Sequence, residues 1–105
     1  MIKHTQLQYK VLDSKLNTQQ PLRATTEAAA FDLSIPNFEN GTKLDVLPTK
    51  GAKEQRKVLD GHITINGGDT VIIPMNVAFN IPTEYDMLVF VRSSVGIKRG
   101  LVLAN

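Results

Sequence analysis

The residues best suited to chemistry lie near the end of the sequence, in Arg92-Ser93-Ser94 and the stretch Val95-Gly-Ile-Lys-Arg-Gly100 that follows. This stretch predicts a short helix. Serine at its start is a capping residue, Lys98 and Arg99 fill the last turn, and Gly100 can take the left-handed stop position. The first N–H groups of a helix lack carbonyl partners and its dipole is positive there. Two hydroxyls and a guanidinium around such an end therefore describe an anion site, phosphate foremost. The same local pattern also describes a well-capped surface helix with no ligand. Charge distribution adds to the first reading: Arg92, Lys98 and Arg99 are the charged residues from Arg92 to Asn105, with no acid among them.

Other chemistries are excluded by composition. The chain has no cysteine, which removes disulfide frameworks, thiolate metal sites and cysteine nucleophiles together. Its two histidines, His4 and His62, stand in unrelated contexts and form no local metal pair. A net charge of +2 is too small to indicate nucleic acid as a partner. No apolar run approaches the roughly 20 residues of a membrane span, and Met-Ile-Lys-His-Thr-Gln lacks a signal-peptide core. These features predict an intracellular protein, cytoplasmic or else nuclear or viral, neither secreted nor bound to a membrane. With 105 residues, 42% of them hydrophobic, the expectation is a single domain, 1–105, able to bury a core.

The elements that must position the serine motif are predominantly strands. Leu7, Tyr9 and Val11 alternate with polar residues and predict a first strand with one buried face. Phe31, Leu33 and Ile35 alternate likewise and predict a strand stopped by Pro36, with Asp32 pointing away from the apolar face. Lys43 to Leu47 is a weaker strand, and Val58 to Ile65 predicts a strand with a bulge near Asp60-Gly61-His62. Asn66-Gly-Gly-Asp69 is a tight turn into Thr70–Ile73, and Asn76 to Ile81 forms another strand. Met87-Leu-Val-Phe-Val91, continuously apolar, predicts a strand buried on both faces that delivers Arg92. Lys50, Lys53, Arg56 and Lys57, with Glu54 among them, fall in a stretch poor in large apolar residues and are expected in a solvated loop. Short strands parted by Gly, Pro and Asn turns indicate an all-β sandwich, jelly roll or barrel.

The run Arg92-Ser-Ser-Val-Gly-Ile-Lys-Arg-Gly-Leu-Val-Leu-Ala-Asn105 resembles, without a gap, the second motif of the trimeric dUTPases. That motif reads Arg-Ser-(Ser/Gly)-(Leu/Val)-x-x-Lys-x-Gly-(Ile/Leu) and reaches an asparagine five positions after its glycine, as Asn105 follows Gly100 here. Glu27-Ala-Ala-Ala-Phe-Asp-Leu33 resembles the first motif, usually Ala-Ala-Gly-(Tyr/Phe)-Asp-Leu. Gly68-Asp-Thr-Val-Ile-Ile-Pro and Phe79-Asn-Ile-Pro-Thr-Glu-Tyr are similar to the strand and turn ahead of the second motif. The resemblance implies a distorted jelly-roll β-barrel and hydrolysis of dUTP to dUMP and pyrophosphate with Mg²⁺, through water attack at the α-phosphorus.

Carried onto this sequence, the resemblance makes Ser93 the serine whose hydroxyl contacts the oxygen bridging the α- and β-phosphates. Ser94 offers its backbone N–H to the β-phosphate, Arg92 supports the phosphate site, and Asn105 reads the uracil edge. Asp32 matches the acid that holds Mg²⁺ through water, a usual arrangement for an ion reluctant to shed its hydration shell. Ala30 stands where the family often has glycine, Val91 where proline is common, and Asn76 where threonine is frequent. The sequence does not contain the third motif, which carries the water-activating aspartate and an aromatic ring under the deoxyribose. The expectation is therefore a dUTPase-like domain incomplete at its C-terminus, weakly active alone and needing a further segment or a complementing C-terminal chain. Its partners would be dUTP and dUMP, with no nucleic acid or membrane, in a homotrimer whose active sites form between subunits. Alternatives are a dCTP deaminase-like enzyme of the same fold and a non-catalytic nucleotide-binding or structural fragment.

Overall fold

A computed structural model describes residues 6–105. His4 and the opening residues read for a signal peptide lie outside the described residues, apart from Gln6. The element order is β1 (Gln8–Val11), β2 (Lys43–Leu47), β3 (Glu54–Lys57), β4 (Thr70–Ile72), β5 (Val77–Asn80) and α1 (Ser93–Arg99). The all-β class with one short helix holds. The strands form two small sheets, β1 with β5 and β3-β2-β4, and no closed barrel forms among the described residues. Residues 9–78 gather into one unit, and residues 6–8 with Phe79–Asn105 into another.

In the unit of residues 9–78, β2 is the central, antiparallel strand. Its alternation sends Leu44 and Val46 inward, and Val58 joins them as the third buried hydrophobic residue. Val46, at 0% exposure, contributes on the order of 1.5–3 kcal/mol through burial. Register sets Val46 opposite both Glu54 and Val71, and Leu44 opposite Arg56.

Strand β3 replaces the loop expected over the basic cluster. Its residues are Glu-Gln-Arg-Lys, so no apolar period announces it; backbone pairing and polar cross-strand partners hold it instead. Gln55 Nε2 donates to Asp45 Oδ1 at 3.1 Å, and Lys53 Nζ lies 3.6 Å from Asp45 Oδ2. Arg56 is the hub. Its Nε and Nη2 donate to Glu54 Oε1 at 3.1 and 2.6 Å, and its Nη1 donates to the Thr64 carbonyl at 3.0 Å and Asp69 Oδ2 at 2.9 Å.

The strand expected over Val58–Ile65 is instead a tight reversal. Leu59 and His62 exchange N–H···O bonds of 2.8 and 2.9 Å around Asp60 and Gly61, whose φ values are 50° and 75°. Two consecutive left-handed residues define the primed turn that suits the twist of a two-residue hairpin. The turn expected at Asn66–Asp69 is present: Asp69 N–H donates to the Asn66 carbonyl at 3.0 Å, and Asn66 N–H returns a bond to Asp69 Oδ2 at 2.9 Å.

Asn76 fastens the segment before β5 to the segment after β1. Its Oδ1 accepts the Asp13 N–H at 2.8 Å, while its Nδ2 donates to the Asp13 carbonyl at 3.0 Å and to Thr18 Oγ1 at 2.8 Å. Its own carbonyl takes the Leu12 N–H at 3.0 Å. The residue is buried with a φ of 62°, a backbone region that asparagine tolerates better than most residues.

Two further expectations are corrected in this part of the chain. All four residues of β1 are exposed, so the strand has no buried face. Phe31–Ile35 forms no strand. Isolated bridges join Leu22 to Asp32 and Asn17 to Asn37, leaving Phe31 and Ile35 exposed, with the Arg23 guanidinium 5.9 Å above the Phe31 ring. Alternation here marks an extended chain whose apolar side meets solvent. Nothing in the pattern itself supplies the facing layer.

Candidate functional site

Within the unit that carries the serine motif, Asn80 Nδ2 donates to Gln8 Oε1 at 2.9 Å near the end of β5. A turn follows in which Tyr85 N–H bonds to the Pro82 carbonyl at 3.0 Å. The run Met87–Val91 then leads to Arg92, but it is neither a strand nor buried: Leu88 and Phe90 are 76% and 78% exposed. This corrects the expected core strand. A continuous apolar run shows that a segment needs cover on both sides, and no neighbouring strand provides it among the described residues.

The helix forms where the motif predicts it. Arg92 is the N-cap, extended at φ −62° and ψ 146°, and its carbonyl receives the N–H groups of Val95 and Gly96, each at 3.0 Å. Ser93 and Ser94 are thus the first two helical residues, both exposed, with amides ahead of the first intrahelical bonds. The expected serine cap is corrected: the cap position belongs to Arg92, and no side chain caps the helix. Neither serine hydroxyl is therefore engaged in closing the helix end. At the other end Gly100 adopts φ 66°, and its N–H and that of Leu101 close onto the Val95 carbonyl, while Lys98 and Arg99 occupy the last turn as expected.

The structure thus gathers Arg92, Ser93 and Ser94 in a single helical turn. Asn105 lies in the same unit, exposed and outside regular structure. Asp32 belongs to the unit of residues 9–78, where its N–H donates to the Leu22 carbonyl at 2.8 Å and the residue is half-buried. The reading that Asp32 stands opposite a buried face is not met, because Phe31 and Ile35 are the more exposed residues.

Among the described residues, an ion-pair cluster joins Arg56 and Glu54, which the sequence placed only in a solvated basic loop, to Asp69. Glu54 and then Asp69 stabilise the charged Arg56 guanidinium and raise its pKa. The Asn66 N–H foremost, assisted by Arg56, holds the Asp69 carboxyl below the usual carboxylate range. Its only signal in the sequence was an arginine within a polar run and an acid after a double glycine, neither of which specifies a partner. The cluster ties β3 to the turn before β4 and so belongs to the scaffold. No group of three or more His, Cys, Asp or Glu residues able to hold a metal occurs among the described residues, and no helix there is long and apolar enough to cross a membrane.

Comparison with known proteins gives a consistent answer. A deoxyuridine 5'-triphosphate nucleotidohydrolase of Paraburkholderia phymatum is 31% identical over 100 residues, covering 94% of this chain and 53% of the relative. Proteins of the same name from Paraburkholderia phytofirmans and Burkholderia thailandensis are each 30% identical over 100 residues with the same coverage. The chain spans about half the length of the curated relatives it matches. No family model matches it, and neither does any solved structure. Over nearly its whole length the chain is thus similar to about half of a deoxyuridine triphosphate nucleotidohydrolase.

Proposed function

We propose that this chain contributes the phosphate- and uracil-binding portion of an enzyme that hydrolyses dUTP to dUMP and pyrophosphate. The observation that carries the reading is the Arg92–Asn105 run, whose two exposed serines open α1 in a stretch with three cations and no acid. In this reading the Ser93 hydroxyl donates to the oxygen between the α- and β-phosphates, where charge builds as that bond breaks. The Ser94 N–H donates to the β-phosphate, and the Arg92 guanidinium offsets the charge of the chain of phosphates. The Asn105 amide, donor and acceptor at once, matches the O4 and N3–H of uracil.

Asp32 would supply one hard oxygen ligand. That donor set fits Mg²⁺, which keeps most of its waters and takes further ligands from substrate phosphates. When bound, the ion neutralises phosphate charge, and Asp32 would hold it through water. The proposed assembly is an intracellular homotrimer. Its support is the apolar surface that one copy leaves uncovered, including Leu88, Phe90, Ile97 and Val102.

The test is pyrophosphate release from dUTP with and without Mg²⁺, using this chain alone and mixed with the remaining portion of a relative. The expected result is Mg²⁺-dependent turnover in the mixture that discriminates against dTTP and dCTP. Deamination of dCTP would support the related deaminase chemistry instead. Binding without turnover in every mixture would leave a nucleotide-binding module and refute the hydrolase reading.

A further inference from the structure

The chain contains two Asn-Gly pairs, Asn40-Gly41 and Asn66-Gly67, and the fold treats them differently. Asparagine before glycine is the dipeptide in which the following amide nitrogen most easily reaches the side-chain carbonyl, because glycine presents no side chain to hinder the approach. At the first pair both reacting groups are held. Gly41 N–H donates to the Val58 carbonyl at 2.8 Å, and Asn40 Oδ1 accepts the Asp60 N–H at 2.6 Å. Attack there requires both bonds to open first, in a segment joined to the buried Val58 beside β2.

At the second pair the bonds fall elsewhere. The backbone carbonyl and N–H of Asn66 are engaged with Asp69, but the Asn66 side-chain amide and the Gly67 N–H have no partner among the described residues. Both residues are exposed. We infer that Asn66 is a site of spontaneous deamidation in the folded protein and that Asn40 is protected. In the reaction the deprotonated Gly67 nitrogen attacks Cγ of Asn66, a C–N bond forms and ammonia leaves, closing a succinimide. Water then opens either carbonyl, giving aspartate or an isoaspartyl linkage that runs the main chain through the former side chain.

The position gives the modification a structural consequence. Asn66 opens the turn into β4, and its N–H is the foremost stabiliser of the Asp69 carboxylate that Arg56 also engages. A new carboxylate there adds negative charge beside Asp69, and an isoaspartyl linkage lengthens the backbone within a turn closed by two hydrogen bonds.

The experiment is peptide mapping by mass spectrometry after incubation of the full chain at mildly alkaline pH, with chromatographic separation of the isoaspartyl product. Conversion at Asn66 is expected about tenfold or more faster than at Asn40, whose attack waits on local opening. In concentrated urea the two rates should converge, since neither pair then keeps its partners. Gly67→Ala tests the site directly. Gly67 lacks a positive φ and has open space where a Cβ would project, so the variant keeps the turn while crowding the attacking nitrogen. It should slow conversion at Asn66 and leave Asn40 unchanged. Equal rates in the folded chain, or a preference that persists unchanged in urea, would overturn the inference.

Discussion

Replacing Asn76 tests whether one buried amide fixes the path of the chain between β1 and β5. Three side-chain hydrogen bonds, at 2.8, 3.0 and 2.8 Å, are lost in Asn76→Ala. At about 1 kcal/mol net for each, their loss amounts to roughly 3 kcal/mol. Alanine at a φ of 62° adds a backbone penalty, of order 1 kcal/mol, that asparagine partly escapes. Asn76→Ala should therefore lower unfolding free energy by about 3–4 kcal/mol, a large share of the 5–15 kcal/mol typical of a domain. Asn76→Gly separates the two contributions: it loses the same bonds but adopts the left-handed backbone freely, and should be about 1 kcal/mol more stable than the alanine variant. The assay is urea unfolding followed by far-ultraviolet circular dichroism, comparing midpoints at a common slope. An alanine variant within about 0.5 kcal/mol of the parent would refute the argument, since that is the range of inert surface substitutions. Glycine no better than alanine would refute the backbone component alone.

Gly68→Ala should cost about 1–2 kcal/mol in the same assay, because its φ is 87° and an added Cβ would sit 2.5 Å from Thr49 Oγ1. Asp69 has a lowered folded pKa, so its stabilising contribution is complete above its unfolded value, about 3.9, and fades as pH falls through the lower folded value. Acid titration of stability should show this loss below about pH 4, and Asp69→Asn should remove that component of the slope while leaving the pH 5–7 region flat. In the active mixture, Ser93→Ala should reduce dUTP turnover about a hundredfold with little change in binding, as measured by single-turnover kinetics and equilibrium titration. Asn105→Ala should weaken dUTP binding and narrow the preference over dCTP, measured by competition.

Strands with a local reason to form were legible in the sequence. β4 follows a double-glycine turn, β2 alternates around Leu44 and Val46, and the helix stops at the glycine that its last cations precede. The Arg-Ser-Ser triplet was legible as a helix start because the chain changes character there. What escaped depends on distant partners. β3 is all polar and exists because β2 offers it a backbone edge. Phe31–Ile35 and Met87–Val91 carry strand-like patterns, yet a pattern records only the need for cover. Arg92 as cap in place of serine was hidden for a related reason: side-chain preference ranks candidates, whereas the bend of the backbone selects among adjacent ones.

The polar β3 also makes the two borders of its sheet unequal. On one side Lys57 faces Lys43 across the register, with Lys53, Glu54 and Arg56 nearby, so an incoming strand would meet fixed charges before it met a backbone. On the other side β4 is only three residues long, with Gly67 and Gly68 just before it and Pro74 just after. One border repels growth by charge and the other by brevity. A sheet built on so few buried residues can thus remain three strands wide at concentrations where an uncharged edge would recruit neighbours into fibrils.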